Sequence, residues 1–128
     1  GESEKSLIHW DENSEMDFTI KFPQENLIFV LFNLLKNAFY YIKASGKGDI
    51  QIWLEKEEEF NKIIFKDTSI GISEEDLPYI FEKFYSKRPQ GIGLGLPFCL
   101  ATLKNHGGDL QCRSKKNDFT EFTLYLPK

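Results

Sequence analysis

Three short segments hold residues whose types and spacing could do chemistry. Asn33, Asn37 and Tyr41 stand at successive i+4 steps, so on a helix, at about 100° per residue, they form one stripe beside an apolar face. An asparagine offers a carbonyl oxygen that can bind Mg²⁺ directly or through water, and an NH₂ that can donate to phosphate oxygens. Taken alone, such amides at the edge of an amphipathic helix more often satisfy neighbouring backbone groups. Asp67-Thr68-Ser69-Ile70-Gly71-Ile72 directly follows an alternating, strand-like run. A carboxylate there can sit at the bottom of a pocket and accept a hydrogen bond from an exocyclic amine such as N6 of adenine. Gly71 lets backbone approach a flat ring closely, while burial of the carboxylate without partners costs several kcal/mol. Turn chemistry alone is the other account of Asp and Gly in this place. Gly91-Ile92-Gly93-Leu94-Gly95-Leu96 opens a helical pattern, the arrangement that binds phosphate on backbone N–H groups at a helix N-terminus. No Gly-Lys-Ser/Thr follows, so it is not a Walker A loop, and its GxGxG spacing after a long charged loop makes a poor dinucleotide fingerprint. Lys87 and Arg88, just ahead of it, could fold over an anion or belong to an ordinary solvated loop.

The elements that must position these residues follow from periodicity. Leu27, Val30, Leu31, Leu34, Leu35 and Ala38 recur at helical spacing, which predicts a helix from Gln24 to about Ala44, opened by Pro23 and stopped by Ser45-Gly46-Lys47-Gly48. Leu7 to Trp10 and Asp17 to Phe22 read as two strands joined by a turn. Ile50 to Glu55 and Phe60 to Lys66 read as a hairpin around Lys56 to Glu59. Ser73, with Asp76 three residues on, predicts an N-cap and a short helix through about Lys83. Tyr85 to Gly95 is a loop, Leu96 to about Asn105 a helix ended by Gly107-Gly108, and Asp109 to Ser114 and Phe119 to Leu126 are closing strands. Strands near both ends with helices between them imply an α+β two-layer sandwich: a mixed, largely antiparallel sheet of about five strands, covered on one face by about three helices.

Composition bounds the rest. With 128 residues, 41% hydrophobic and 15% aromatic, residues 1–128 read as a single domain that buries roughly two-thirds of its unfolded surface. Gly1-Glu2-Ser3 reads as a cloning remnant and is given no weight. A net charge of −4 excludes a surface built to neutralise nucleic-acid phosphates. No apolar run reaches the roughly 18 residues expected of a membrane span, and no secretory leader pattern is present, so no direct membrane contact is expected. Cys99 and Cys112 form no CxxC and read as reduced structural thiols.

In their order along the chain these segments resemble the nucleotide-binding boxes of the ATPase superfamily that contains gyrase B, Hsp90, MutL and the sensor histidine kinases. Asn33-Leu34-Leu35-Lys36-Asn37-Ala38 resembles the N box, Asp67 to Ile72 the first glycine box and Ile80-Phe81-Glu82-Lys83-Phe84-Tyr85 the F box of histidine kinases. Gly91 to Leu96 is similar to the second glycine box, and His106-Gly107-Gly108-Asp109 and Thr120 to Pro127 to the closing segments. The resemblance implies the Bergerat-type ATP-binding fold, with ATP and Mg²⁺ as cofactors. It implies that Asn37 holds Mg²⁺ with Asn33 beside it, that Asp67 reads the adenine amine with help from a water and Thr120, and that Tyr41 packs on the base near Gly71. Gly91, Gly93, Gly95 and Leu96 then line the triphosphate, and Lys87 or Arg88 reaches the γ-phosphate. Phe81 and Phe84 anchor the lid, meet phosphoacceptor helices, or simply pack in the core.

Hydrolytic members of that superfamily place a Glu four residues ahead of the metal-binding Asn. Here that position is Asn33, which suits phosphoryl transfer to a protein histidine better than activation of water. The resemblance therefore implies the catalytic domain of a two-component histidine kinase, cytoplasmic within a membrane-anchored sensor. Its partners would be upstream dimerisation and phosphotransfer helices and a downstream receiver or response regulator. Neither His9 nor His106 suits the acceptor role. Three features depart from the family pattern: Ser69, Tyr40 and a short lid from Ser86 to Gln90. Ser69 replaces the first glycine of Asp-x-Gly-x-Gly, adding a Cβ that can restrict φ. Tyr40 stands where many kinases have a Lys or Arg for the phosphates, leaving Lys43, Lys87 or Arg88 to serve. The Tyr40-Tyr41 pair resembles hybrid kinases of bacterial quorum-sensing receptors. An alternative function is a degenerate module that docks on the phosphoacceptor helices and regulates them without efficient kinase activity. A gyrase-like ATPase is disfavoured by Asn33, and a serine kinase of the anti-anti-sigma type by the F-box-like segment.

Overall fold

The computed structural model describes residues 8–10, 20–86 and 93–128. Five strands form one sheet: β1 (Ile8–Trp10), β2 (Ile50–Lys56), β3 (Phe60–Asp67), β4 (Asp109–Lys115) and β5 (Phe119–Pro127), in the order β1-β2-β3-β5-β4. The β2–β3, β3–β5 and β4–β5 pairs are antiparallel, and β1 runs parallel to β2 with Ile8 opposite Ile50. The sheet is thus mixed and largely antiparallel, as expected, but the expected partner of β1 is corrected. Ile20 to Phe22 form no strand; Lys21 donates its N–H to the Pro127 carbonyl at 2.9 Å. Residues 17–19 of that expected strand lie outside the described residues.

Two α-helices, α1 (Gln24–Ser45) and α2 (Gly95–Asn105), cover one face of the sheet. Alternation decides which strand residues meet them, because side chains two apart share a face. Ile63 and Phe65 of β3, Phe122, Leu124 and Leu126 of β5 and Leu110 of β4 pack with Val30, Leu34, Ala38 and Ile42 of α1 and Cys99 and Leu103 of α2 in one core. The outer face carries polar and aromatic cross-strand contacts instead, such as Lys62 with Glu57 at 2.6 Å and Arg113 with Glu121 at 2.9 Å. Gly46 ends α1 in the left-handed region at φ 72° and donates to the Ile42 carbonyl, the stop that the sequence foretells.

The third expected helix is not formed. Ser73 does cap, its Oγ accepting from the Asp76 N–H at 3.3 Å, but after one i→i−4 bond from Leu77 to Ser73 the segment winds on with i→i−3 bonds through a 3₁₀ turn at Leu77–Tyr79. Pro78 explains this: in an α-helix begun at Ser73 it would lack the N–H owed to the Glu74 carbonyl, and its ring would collide with that group. Asp76 is engaged elsewhere, accepting from the Tyr85 hydroxyl at 2.7 Å.

With its 22 residues and a mean hydropathy of 1.3, α1 is long and apolar enough to cross a membrane by length and composition, which the sequence reading did not expect. Its buried stripe is nevertheless the centre of this domain's core. Cys99 and Cys112 are free thiols. Burial pushes the fully buried Cys99 up to about 12, so it stays protonated at neutral pH. Alkylation of Cys99 by iodoacetamide at pH 8 is expected to be at least about tenfold slower in the native protein than in urea, as followed by mass spectrometry.

Candidate functional site

A cleft of about 710 Å³ opens between α1, the end of β3, the β4–β5 turn and the start of α2. Its wall on α1 is the expected stripe: Asn33, Asn37 and Tyr41 all line it. Asn33 donates its Nδ2 to the Phe29 carbonyl one turn back at 2.9 Å, so its NH₂ does satisfy backbone, as one of the two readings of the stripe had it. Its Oδ1 is turned toward α2. A Cβ on Gly95 would lie 3.3 Å from that oxygen, so the glycine at the first turn of α2 keeps the space between the two helices open. Among the described residues no side chain caps this end of α2. Gly93, Gly95 and Leu96 line the cleft beside it. The N–H groups there and the positive end of the helix dipole suit an anion.

The floor is built from the ends of β3 and β5, where Asp67 pairs in register with Thr120. Asp67 is only 6% exposed. Burial raises its carboxyl above the ordinary carboxylate range, while hydrogen bonds from the Ser69 side chain and N–H pull it back down. Both donors reach Oδ1, the hydroxyl at 2.8 Å and the N–H at 3.2 Å. Thr120 belongs to a second small network. The Ser114 hydroxyl donates to the Phe119 carbonyl at 2.6 Å and accepts from the Ile72 N–H at 2.7 Å. With the Ser114 proton committed there, the 3.1 Å contact between Ser114 and Thr120 requires Thr120 to be its donor. Thr120 Oγ1 then has only acceptor capacity left. The floor therefore offers acceptors, Asp67 Oδ2 and Thr120 Oγ1, to whatever lies on it.

Gly71 lines the cleft, but its missing side chain is explained by packing. It has φ 66°, and a Cβ would run into the Lys115 carbonyl of the β4–β5 turn, whose Asn117 N–H in turn donates to Ile70. Gly71→Ala is expected to lower stability by about 1–3 kcal/mol, read as a reduced urea midpoint at unchanged m. Ser69 has no positive φ, so the feared restriction from its Cβ does not arise. Tyr40 makes an edge-on contact with Tyr41, ring centres 5.1 Å apart. Gly93, at φ 73°, accepts the Phe84 N–H through its carbonyl at 2.8 Å. Phe81 packs on the core near Phe122, and Phe84 is 74% exposed. Lys87, Arg88 and Gly91 lie outside the described residues.

The cleft also contains residues that the sequence reading passed over, among them Lys36, Asp76, Tyr85 and Lys116. Lys36 had a signal: it is three residues past Asn33, on the same side of the helix. Among the described residues no group of three His, Cys, Asp or Glu could hold a metal ion.

A mixed five-stranded sheet under two helices among the described residues, with a carboxylate-floored cleft beside the Asn33–Asn37–Tyr41 stripe, matches an ATPase domain of the histidine kinase type. The chain belongs to the family of histidine kinase-, DNA gyrase B- and HSP90-like ATPases, whose model matches residues 22–128. It is 37% identical over 127 residues, 98% of the chain, to the autoinducer 1 sensor kinase/phosphatase LuxN of Vibrio harveyi. It is 44% identical over 103 residues to the CAI-1 autoinducer sensor kinase/phosphatase CqsS of Vibrio cholerae. The chain spans 15% of the length of each of these relatives. Among solved structures it is similar to the nucleotide-free catalytic domain of the histidine kinase ThkA, with a TM-score of 0.79 and 27% identity over 99% of this chain and 84% of that one.

Proposed function

We propose that this domain binds Mg-ATP and passes the γ-phosphoryl group to a histidine on a separate dimerisation and phosphoacceptor domain of a two-component sensor. The observation that supports it best is the polarity of the cleft: acceptors at the Asp67–Thr120 floor, and the backbone N–H groups at the start of α2 at the other end. A ligand that suits both ends carries an amine at one and phosphates at the other, as ATP does, and about 710 Å³ is within the usual range for such sites.

In this reading Asp67 Oδ2 accepts from the adenine amine, Tyr41 packs on the base, and Gly93, Gly95 and Leu96 hold phosphate oxygens. Asn37 holds Mg²⁺, which needs few protein ligands when phosphates supply the rest. When bound, Mg²⁺ neutralises charge on the transferring phosphate. Lys36 adds a cation at the cleft, and the resemblance gives Lys87 or Arg88 the γ-phosphate. Asn33, with its NH₂ on a backbone carbonyl, is no base for activating water, which favours transfer over hydrolysis.

His9 contacts Asp49 at 3.2 Å and His106 packs edge-on against Phe22, so the acceptor histidine is assigned to another domain. Phe29 and Phe98, which line the cleft with ring centres 5.0 Å apart, are exposed and suit an approaching apolar helix. The proposed setting is the cytoplasmic part of a membrane-anchored sensor, upstream of a receiver domain or response regulator. The rival docking-module reading drew on Ser69 and Tyr40; the unstrained Ser69 backbone removes the first support, and the second rests on Tyr40 standing where many kinases have a Lys or Arg.

Calorimetric titration with a non-hydrolysable ATP analogue should show saturable binding that strengthens with Mg²⁺, and Asn37→Asp should change that Mg²⁺ dependence. Absence of binding at millimolar analogue sinks the proposal. With γ-labelled ATP, this chain alone should acquire no acid-labile phosphohistidine, whereas an added phosphoacceptor domain should.

A further inference from the structure

We infer that Ser69 is a positioning residue that aims the Asp67 carboxylate and so sets how strongly the cleft selects an amine-bearing base; this rests on the proposed nucleotide reading. Ser69 is 1% exposed and touches the ligand space only at the floor. Its hydroxyl and its N–H both donate to the same oxygen, Asp67 Oδ1, at 2.8 and 3.2 Å. Two donors on one carboxylate oxygen fix the rotation of the group and favour its ionised form. Oδ2 is left as the single oxygen to receive a donor from the cleft. A glycine at this place would keep the N–H and lose the hydroxyl, leaving burial of Asp67 less opposed.

The charged and titratable groups around Asp67 do not replace this contact. Cys112 on β4 is pushed up to about 12 by burial and by the Asp67 and Glu121 charges, so it remains a neutral thiol across the working range. Tyr41 on α1 and Lys116 in the β4–β5 turn line the same cleft, and the hydrogen bonds that pull the Asp67 carboxyl back down come from the Ser69 side chain and N–H.

The test compares Ser69→Ala and Ser69→Gly with the unsubstituted chain. The probes are an ATP analogue and the matching purine riboside triphosphate, which lacks the 6-amino group. Alanine keeps the Cβ and glycine does not, so a backbone effect separates the two variants and a hydroxyl effect unites them. Both variants should bind the ATP analogue about fivefold to tenfold more weakly, with the purine compound changed less than about twofold. In both, the loss of binding on acidification should move to higher pH, because Asp67 without the hydroxyl protonates more readily. Equal affinities and equal acid limits in all three proteins overturn the inference alone, as does a defect in one variant only or one shared equally by both ligands. No binding of either compound by the unsubstituted chain overturns the nucleotide reading and the inference together.

Discussion

Asp67→Asn is expected to weaken binding of an ATP analogue by about a hundredfold or more while leaving the fold as stable as before, or more so. The asparagine is isosteric but has one acceptor and one donor. If Oδ1 keeps the Ser69 hydroxyl and N–H, the amide NH₂ faces the ligand amine; if it turns, the Ser69 N–H loses its acceptor. Either orientation sets donor against donor. The stability half follows from sign. Burial raises the folded-state pKa of Asp67, so its contribution to stability is full below the ordinary carboxylate pKa and is lost as pH rises through the folded value. At neutral pH the ionised group opposes folding, and the neutral amide removes that cost. Calorimetric titration reads the first effect and thermal unfolding at pH 7 the second. A variant that loses binding and Tm together would place Asp67 in the fold instead of in recognition.

Phe65→Ala is expected to lower stability by about 3–5 kcal/mol, measured by urea denaturation. Phe65 is 1% exposed, lies opposite Phe122 on the central β3–β5 pair and shares its face with Asp67 two residues on. A loss of that size approaches the whole stability of a small domain. The midpoint should recover in part when saturating nucleotide is added, since a ligand bound only by the folded state adds stability by mass action. Recovery in Phe65→Ala with none in the doubly substituted Phe65→Ala, Asp67→Asn chain would tie the ligand to this end of β3.

Most of the sheet and α1 were legible because their signals are local. Phe119 to Pro127 alternates throughout and Phe60 to Asp67 does so except at Ile64, and Val30, Leu34, Ala38 and Ile42 recur at one helical step. The partner of β1 was not legible, since a parallel pair leaves no turn chemistry between its strands. The Ser73 segment misled for the opposite reason: its cap is present, but Pro78 works against an α-helix only through the carbonyl four residues back. For the cleft, types and order pointed to Asn33, Asn37, Tyr41, Asp67, Gly71, Gly93, Gly95, Leu96 and Thr120. The direction of each hydrogen bond was beyond reach. That Ser69 is a donor to Asp67, or that Ser114 commits the Thr120 proton, depends on where a turn and a neighbouring strand bring hydroxyls together.

Along α1, Val30, Leu34, Ala38 and Ile42 are buried, and the residue just before each of them, Phe29, Asn33, Asn37 and Tyr41, lines the cleft. Two columns, one residue out of phase, run the length of the same rod. A helix can absorb many substitutions in either column, but it has no joint at which to absorb a change of count. Insertion of one residue between Leu34 and Asn37 leaves Phe29 and Asn33 where they are but carries Asn37 and Tyr41 into the column that belongs to the core and turns Ala38 and Ile42 away from it. The spacing of the ligand-facing side chains is thus calibrated by the same oil-filled seam that holds the domain together, and in this helix a frame error destroys the site and the fold in one stroke.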